Sequence, residues 1–387
     1  MKIRRMRITT QDKMLLCFLT SFIVSRIVNL PTLIANMLPA AFGLACFAYV
    51  IMHKKQKYLQ TALLMLIVMS LFMLFSMLYN NNCDVLDLIW IWAFGGVSIM
   101  LFTYRFNSKL VLFQYYTFAL YLLVKILRGV PARDVLSIGS QNNISVYLLM
   151  YLALYYFFRE IENGKERYSI IPVAVAALIS FWTTNRSATL CFFLFGGLLL
   201  FYNIFISGKG LKTILLTTGV FAISIFFIYK YYDTISTLFL GSFIDKMNTY
   251  GYTSLRTEIW KEYIDSTTSS FTNIVFGPNT RDRSYYWLSI YDGNVHNAFF
   301  ILHAHYGLMA FLGFSLLSIR GTIRFLQNGR YVSVIVILIL SIRSFFDWTS
   351  FPGIYDVFYI LIMLVAVTKN WYFITEEERD VYYQNTI

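Results

Sequence analysis

Residues 60–79 read QTALLMLIVMSLFMLFSMLY, twenty consecutive positions without a charge, a glycine or a proline. At a helical rise of 1.5 Å per residue such a run crosses the roughly 30 Å hydrocarbon core of a bilayer. Working outward, comparable runs recur at 14–30, 32–52, 85–104, 109–127, 143–158, 168–184, 187–207, 213–232, 296–318, 331–349 and 353–369. Twelve apolar spans predict an all-α polytopic membrane protein. Residues 1–232 hold spans one to nine, 233–295 form one large outer loop, 296–369 hold spans ten to twelve, and 370–387 form a tail. The shortest run, 143–158, is the weakest of the set.

Composition agrees. Hydrophobic residues make up 58% of the 387 positions and charged residues 13%, against about 45–50% and about 25% in soluble domains. That excludes an ordinary soluble enzyme, a disordered chain and a disulfide scaffold. The net charge of +12 would suggest nucleic acid in a soluble protein. Here no soluble basic domain exists to carry such binding, and basic residues orient membrane helices instead. Cys17, Cys46, Cys83 and Cys191 offer neither zinc spacing nor a disulfide framework. The basic start, Met1 to Arg7, runs into a long apolar segment without a small-residue cleavage site. It reads as a retained first span.

Charge sets the orientation. Lys54, Lys55 and Lys57 lie in one connection, Arg105 and Lys109 in the next on the same side. Arg159, Lys165 and Arg167, then Lys209 and Lys212, then Arg320, Arg324 and Arg330 in loop 319–330 continue the pattern. With both termini, 20 of the 32 Lys and Arg fall on one side, which predicts cytoplasmic N- and C-termini. Segments 127–141 and 233–295 hold basic residues on the other side, where orientation does not call for them. An anionic outer substrate would explain these.

Within 233–295, Leu255, Ile259, Trp260 and Tyr263 share a helix face, with Arg256, Glu258, Lys261 and Glu262 among the polar positions. This suits a helix at the membrane interface or one packed on the ends of the spans. Gly277-Pro278-Asn279 reads as a turn.

Several charged positions are candidates for chemistry. Arg186, in Asn185-Arg186-Ser187, sits between two spans with almost no loop. It either faces a partner or watery cavity or snorkels to headgroups. Arg256 opens the loop helix and is either solvated or functional. His296-Asn297 opens the tenth span, and His296 and His303, seven apart, are expected on one helix face. His303 and His305 read as hydrogen-bonded packing residues. Arg343 and Asp347, four apart, can pair on one face as a structural ion pair or a cavity wall. Lys125 and Arg128 stand at the outer end of the fifth span. No metal site is expected, for the ligand spacing is missing. No phosphate-binding glycine loop, nucleotide motif or Asp-x-Asp pair is present, so a donor on the outer face must arrive preactivated, most plausibly on a lipid.

The order of four stretches resembles the O-antigen polymerase and ligase superfamily of bacterial envelope enzymes. They are Thr183-Thr184-Asn185-Arg186-Ser187-Ala188-Thr189-Leu190, Ser254-Leu255-Arg256-Thr257-Glu258-Ile259-Trp260, Phe276-Gly277-Pro278-Asn279, and Val295-His296-Asn297-Ala298-Phe299-Phe300 continuing to Tyr306-Gly307-Leu308. The resemblance covers roughly residues 140–350. It implies a GT-C-like glycosyltransferase architecture in the bacterial inner membrane, with its active site facing the periplasm. The implied substrates are oligosaccharides on undecaprenyl pyrophosphate, as both donor and acceptor. It implies no cofactor or metal, and a chain-length regulator is a candidate partner. On that basis Arg186 and Arg256 would grip the pyrophosphate, and His296 would contact the acceptor hydroxyl or donor phosphate in an inverting transfer. Asn297, Arg343, Asp347, Arg128 and Lys125 would bind substrate, with Arg133, Arg281 and Arg283 further along the same anionic cavity. Ligases of this superfamily more often carry an acidic residue just after His-Asn. Here Ala298 and Phe299 follow, which favours polymerase over a ligase acting on lipid A core. The reading from another class is a lipid-linked oligosaccharide flippase, which would place its cations deep in a central cavity.

Overall fold

In the computed structural model, residues 8–53, 57–164, 166–206 and 255–368 are described. The expected ninth span at 213–232, positions 233–254 of the large loop, and the tail lie outside the described residues. The described chain forms helices and no strands. They are α1 Thr10–Ile27, α2 Thr32–His53, α3 Lys57–Asn80, α4 Val85–Thr103, α5 Ser108–Leu127, α6 Asn142–Asn163, α7 Ile171–Trp182 and α8 Arg186–Phe201. After the undescribed stretch come α9 Arg256–Thr268, α10 Phe271–Phe276, α11 Tyr286–Ile290, α12 Ala298–Gln327, α13 Tyr331–Phe345 and α14 Asp356–Val367.

Among the described residues seven helices, α2 to α6, α8 and α12, are long and apolar enough to cross a membrane. Helices α7, α13 and α14 are apolar but shorter. In lipid every backbone polar group must find its partner within the protein, and a helix does so within itself. The apolar window of α6 is 89% buried and that of α3 33%, so α6 is central and α3 peripheral. Every residue of α14 from Asp356 to Ala366 is buried. Peripheral side chains such as Leu64, Leu71, Phe75 and Leu78 are exposed, as expected for a surface that meets lipid tails.

Several boundaries differ from expectation. Arg320 and Arg324 are not in a loop: α12 runs on to Gln327 and stops where Gly329 takes a positive φ. Helix α6 continues five residues beyond 158, to Asn163, because its stop is Gly164, with φ 65°. Helix α13 ends at Phe345 and α14 starts at Asp356, so the segment 346–355 between them is loop. Helix α9 packs on the ends of the spans and buries Ile259 and Tyr263; of the two arrangements open in the sequence, this is the one found.

At one end of the bundle, carboxylates close helix termini. Glu160 of α6 accepts from Val332 N at 2.9 Å and from Ser333 N and Oγ at 2.7 and 2.6 Å, which satisfies the start of α13. Glu162 does the same for Ser108 at the start of α5.

At the other end, α12 breaks at Gly307, with φ 78° and ψ 174°. The Gly277-Pro278 turn fits against the break. A Cβ on Gly277 would lie 2.6 Å from the His303 carbonyl oxygen, and one on Gly307 would lie 2.7 Å from that of Val275. The carbonyls gathered there are satisfied from α3. Asn80 Nδ2 donates to Phe276 O, Gly277 O and Ala304 O, and Asn82 Nδ2 donates to Pro278 O at 2.7 Å and Ala304 O at 2.9 Å. Asn82 Oδ1 accepts from Thr280 N and Oγ1. Asn82→Leu should therefore lower stability by about 1–3 kcal/mol for each buried group left without a partner. Thermal unfolding in detergent reads this, and an unchanged midpoint would show the network to be dispensable.

Candidate active site

The end of the bundle that carries the Gly277 turn also gathers charges from separate elements. Asn185 caps α8, its Oδ1 accepting from Ala188 N at 3.2 Å, and so fixes Arg186 as the first helical residue. Thr183, Thr184 and Asn185 are buried, and Thr184 takes φ 51°. Arg186 is thus held where the unpaired N–H groups of a 16-residue helix already favour an anion.

Arg256 is the first residue of α9. The helix is pinned by Trp260, whose Nε1 donates to Val295 O at 3.0 Å and whose ring meets Phe345 edge-on at 5.3 Å. Tyr263 stacks on Phe300 with centroids 4.7 Å apart. Burial lowers the Arg256 guanidinium from its ordinary pKa; Asp347 opposes this, and Arg343 and Arg186 add to it. Arg256 therefore lies within electrostatic range of all three.

Arg343, on α13, is fully buried, and its Nη2 donates to Asp347 Oδ2 at 2.8 Å. The pair forms although α13 ends two residues before Asp347, so it does not need a shared helix face. Arg343 Nε and Nη1 have no hydrogen-bond partner among the described residues. On the other side of the carboxylate, His296 Nδ1 lies 3.6 Å from Asp347 Oδ1, inside ion-pair distance but beyond a hydrogen bond. His296 is in the left-handed region, φ 51°, with its N–H bound to Asn294 Oδ1 at 2.9 Å and the Tyr291 ring edge-on at 5.2 Å. Non-glycine residues rarely hold this conformation, and it aims the imidazole at Asp347 ahead of the helix.

The sequence expected His296 and His303 on one helix face. They are not: His296 precedes the cap of α12, and Asn297 is that cap, accepting from Phe299 N and Phe300 N. His303 is bonded at both nitrogens, to Tyr263 OH and Ile274 O, at 2.7 and 2.8 Å. His305 is buried edge-on to Trp348. Both serve packing.

Arg186, Arg256, His296, Arg343 and Asp347 are thus brought together. Lys125 is not among them: it lies over Tyr121 of its own helix. Arg128 is the exposed C-cap of α5, which packs mainly on α6, α7 and α1. Arg133 pairs with its neighbour Asp134 on the surface, and Arg281 and Arg283 are exposed. Sequence reasoning missed Asn80, Asn82, Asn294 and Tyr291. Three consecutive asparagines, 80 to 82, at the end of an apolar run were the available signal for the first two.

Among the described residues the cluster holds the guanidiniums of Arg186, Arg256 and Arg343 and the carboxylate of Asp347. Forked guanidinium donors match phosphate oxygens and stay charged when partly buried. Among the described residues no group of three His, Cys, Asp or Glu could hold a metal ion. No family model and no curated protein matches the chain.

Proposed function

We propose that the chain is a membrane glycosyltransferase, an O-antigen polymerase joining undecaprenyl-pyrophosphate-linked oligosaccharide repeat units at the periplasmic face of the bacterial inner membrane. The observation that carries this reading is the convergence of Arg186, Arg256 and Arg343 around Asp347 and His296 at one end of an apolar bundle. A flippase would need its cations deep between the spans; these lie at their ends. Lys13, Arg105, Lys109, Arg159, Arg320, Arg324 and Arg330 stand at the opposite end, and the basic end is the cytoplasmic one. The cluster then faces out.

An apolar groove of about 480 Å³ between α12, α13 and α14 supports a lipid-borne substrate. It runs from Phe299 and Ser341, near the cluster, to Thr322 and Val334, and Leu338 and Ile319 in its wall are exposed. A polyprenyl tail fits that surface while the pyrophosphate reaches the arginines.

In this reading the acceptor hydroxyl oxygen bonds to the anomeric carbon as the bond from that carbon to the phosphate oxygen breaks. The pyrophosphate leaves with the electron pair, and the arginines stabilise the charge it gains. Nε2 of His296 takes the acceptor proton, and the Asp347 carboxylate, 3.6 Å from Nδ1, stabilises the imidazolium that forms.

The test is reconstitution of the purified protein in lipid with the undecaprenyl-pyrophosphate-linked repeat unit as sole substrate. A ladder spaced by one repeat is expected, and His296→Ala should lower its rate about 10²–10⁴-fold. A folded sample that makes no ladder sinks the polymerase reading. Transfer only on adding lipid A core would indicate a ligase, and movement of substrate without new bonds a transporter.

A further inference from the structure

A second cavity, of about 320 Å³, opens at the same end of the bundle and is lined in part by segment 346–355, which also carries Asp347 of the charged cluster. Segment 346–355 is the shared wall: Asp347 belongs to the cluster and the next residue, Trp348, lines the cavity. The volume falls at the low end of small-molecule sites, which run about 300–1,000 Å³. That suits a sugar residue better than a long glycan.

The lining is mixed in a specific way. Trp90 and Tyr147 both pack on the Phe22 ring, at 5.7 and 5.6 Å, and form an aromatic wall. Arg26, Asp87 and Asn143 supply the polar side. Arg26 and Asp87 carry opposite charges into one cavity without forming an ion pair with each other; Arg26 lies over the Phe22 ring at 5.8 Å and against the Tyr147 hydroxyl. One Asp87 oxygen is used, capping α4 through Asp84 N, while the Asn143 side chain makes no hydrogen bond among the described residues. Gly139, with φ 97°, brings its loop against the Asn143 amide, which a Cβ there would meet at 2.5 Å. A pyranose has an apolar C–H face and a rim of hydroxyls that both donate and accept. Aromatic faces take the first; carboxylate, amide and guanidinium groups take the second.

We propose that this cavity binds a sugar residue of the glycan substrate, with Arg26, Asp87 and Asn143 as its hydroxyl partners and Trp90, Tyr147 and Trp348 as its apolar wall. The inference rests on the glycosyltransferase reading for the class of ligand. Segment 346–355, with Asp347 in the cluster and Trp348, Thr349, Pro352, Gly353 and Ile354 lining the cavity, would hold the bound sugar beside the reacting centre.

The test uses binding, so it does not depend on turnover. The probe is the free oligosaccharide released from the host's undecaprenyl-pyrophosphate pool, titrated against the full-length protein in detergent. Asp87→Asn and Asn143→Ala should each weaken its binding about tenfold, as expected for losing a hydrogen bond that involves a charged or well-placed polar group. Both should bind undecaprenyl pyrophosphate without sugar as the wild type does, which also verifies their fold. If Asp87→Asn loses both ligands through damage to the α4 cap, Asn143→Ala carries the comparison, since its side chain supports no described hydrogen bond. Wild-type protein that fails to bind the oligosaccharide, or folded variants that bind it within twofold of wild type, would overturn the proposal. A missing polymerisation ladder with intact, variant-sensitive oligosaccharide binding would instead sink the polymerase reading and leave the cavity assignment standing.

Discussion

Arg256→Ala is expected to lower the rate of glycan transfer by about two to three orders of magnitude, the usual cost of removing one donor to a developing anion, while the bundle stays folded. The residue is well suited to show this. It stands at the start of α9, is half-buried, and makes no described hydrogen bond that holds the fold. The anchoring of α9 comes from Trp260 and Tyr263. What Arg256 does have is position, near enough to Asp347, Arg343 and Arg186 to feel their charges. Among the described residues the cluster holds more cationic than anionic groups, which attracts an incoming anion. Removing one should weaken pyrophosphate binding and the transition state together, with a larger effect on the latter. Arg256→Lys should recover only part of the activity, because an ammonium keeps the charge but loses the planar fork. Ladder formation by reconstituted variants, with thermal unfolding measured alongside, decides the matter. Arg256→Ala protein that polymerises at the wild-type rate would remove Arg256 from the site.

Asp347→Ala is expected to damage both stability and activity. Arg343 is fully buried and Asp347 is its one ion-pair partner among the described residues. Deleting one member of a buried pair strands the other charge, at a cost of about 3–5 kcal/mol. His296 loses the same carboxylate, 3.6 Å from Nδ1, so the imidazole loses its neighbouring negative charge as well. A double variant separates the two effects. Arg343→Met with Asp347→Leu replaces the pair by apolar groups of similar size, which is often close to neutral for stability. Its unfolding midpoint should return toward the wild type while activity stays lost. A double variant that is both stable and active would mean the pair is a structural brace and no part of the chemistry.

The all-α character and most helix positions were legible in the sequence. A run such as 60–79 has no alternative in lipid, because only a helix satisfies its own backbone there. The errors cluster where the stop signal was a single residue. Gly164 and Gly329 end α6 and α12 later than hydropathy alone suggests, since charged residues on the last turns of a helix look like loop in composition. Arg186 and His296 were marked by their places at span ends, and Arg256 by opening the helix of the large loop. Lys125 and Arg128 were marked by the same signal and lie elsewhere. Hydropathy places a residue along the membrane normal but not around the bundle.

The sequence by itself determined the class of the fold, the polar end of each long helix, and the excess of positive charge, because these depend on the local covalent chain. Only the tertiary structure decided which charges meet. Asp347 lies between Arg343 and His296 because α12 and α13 pack side by side and α9 lies over their ends. The Gly307 break is held by Asn80 at the end of α3 and Asn82 just after it, far away in the chain. The cavity around Arg26, Asp87 and Asn143 arises from three helices and two loops that share no sequence pattern. Coulomb energy and hydrogen bonding act over a few ångströms in space, and separation along the chain carries no information about which groups packing will bring that close.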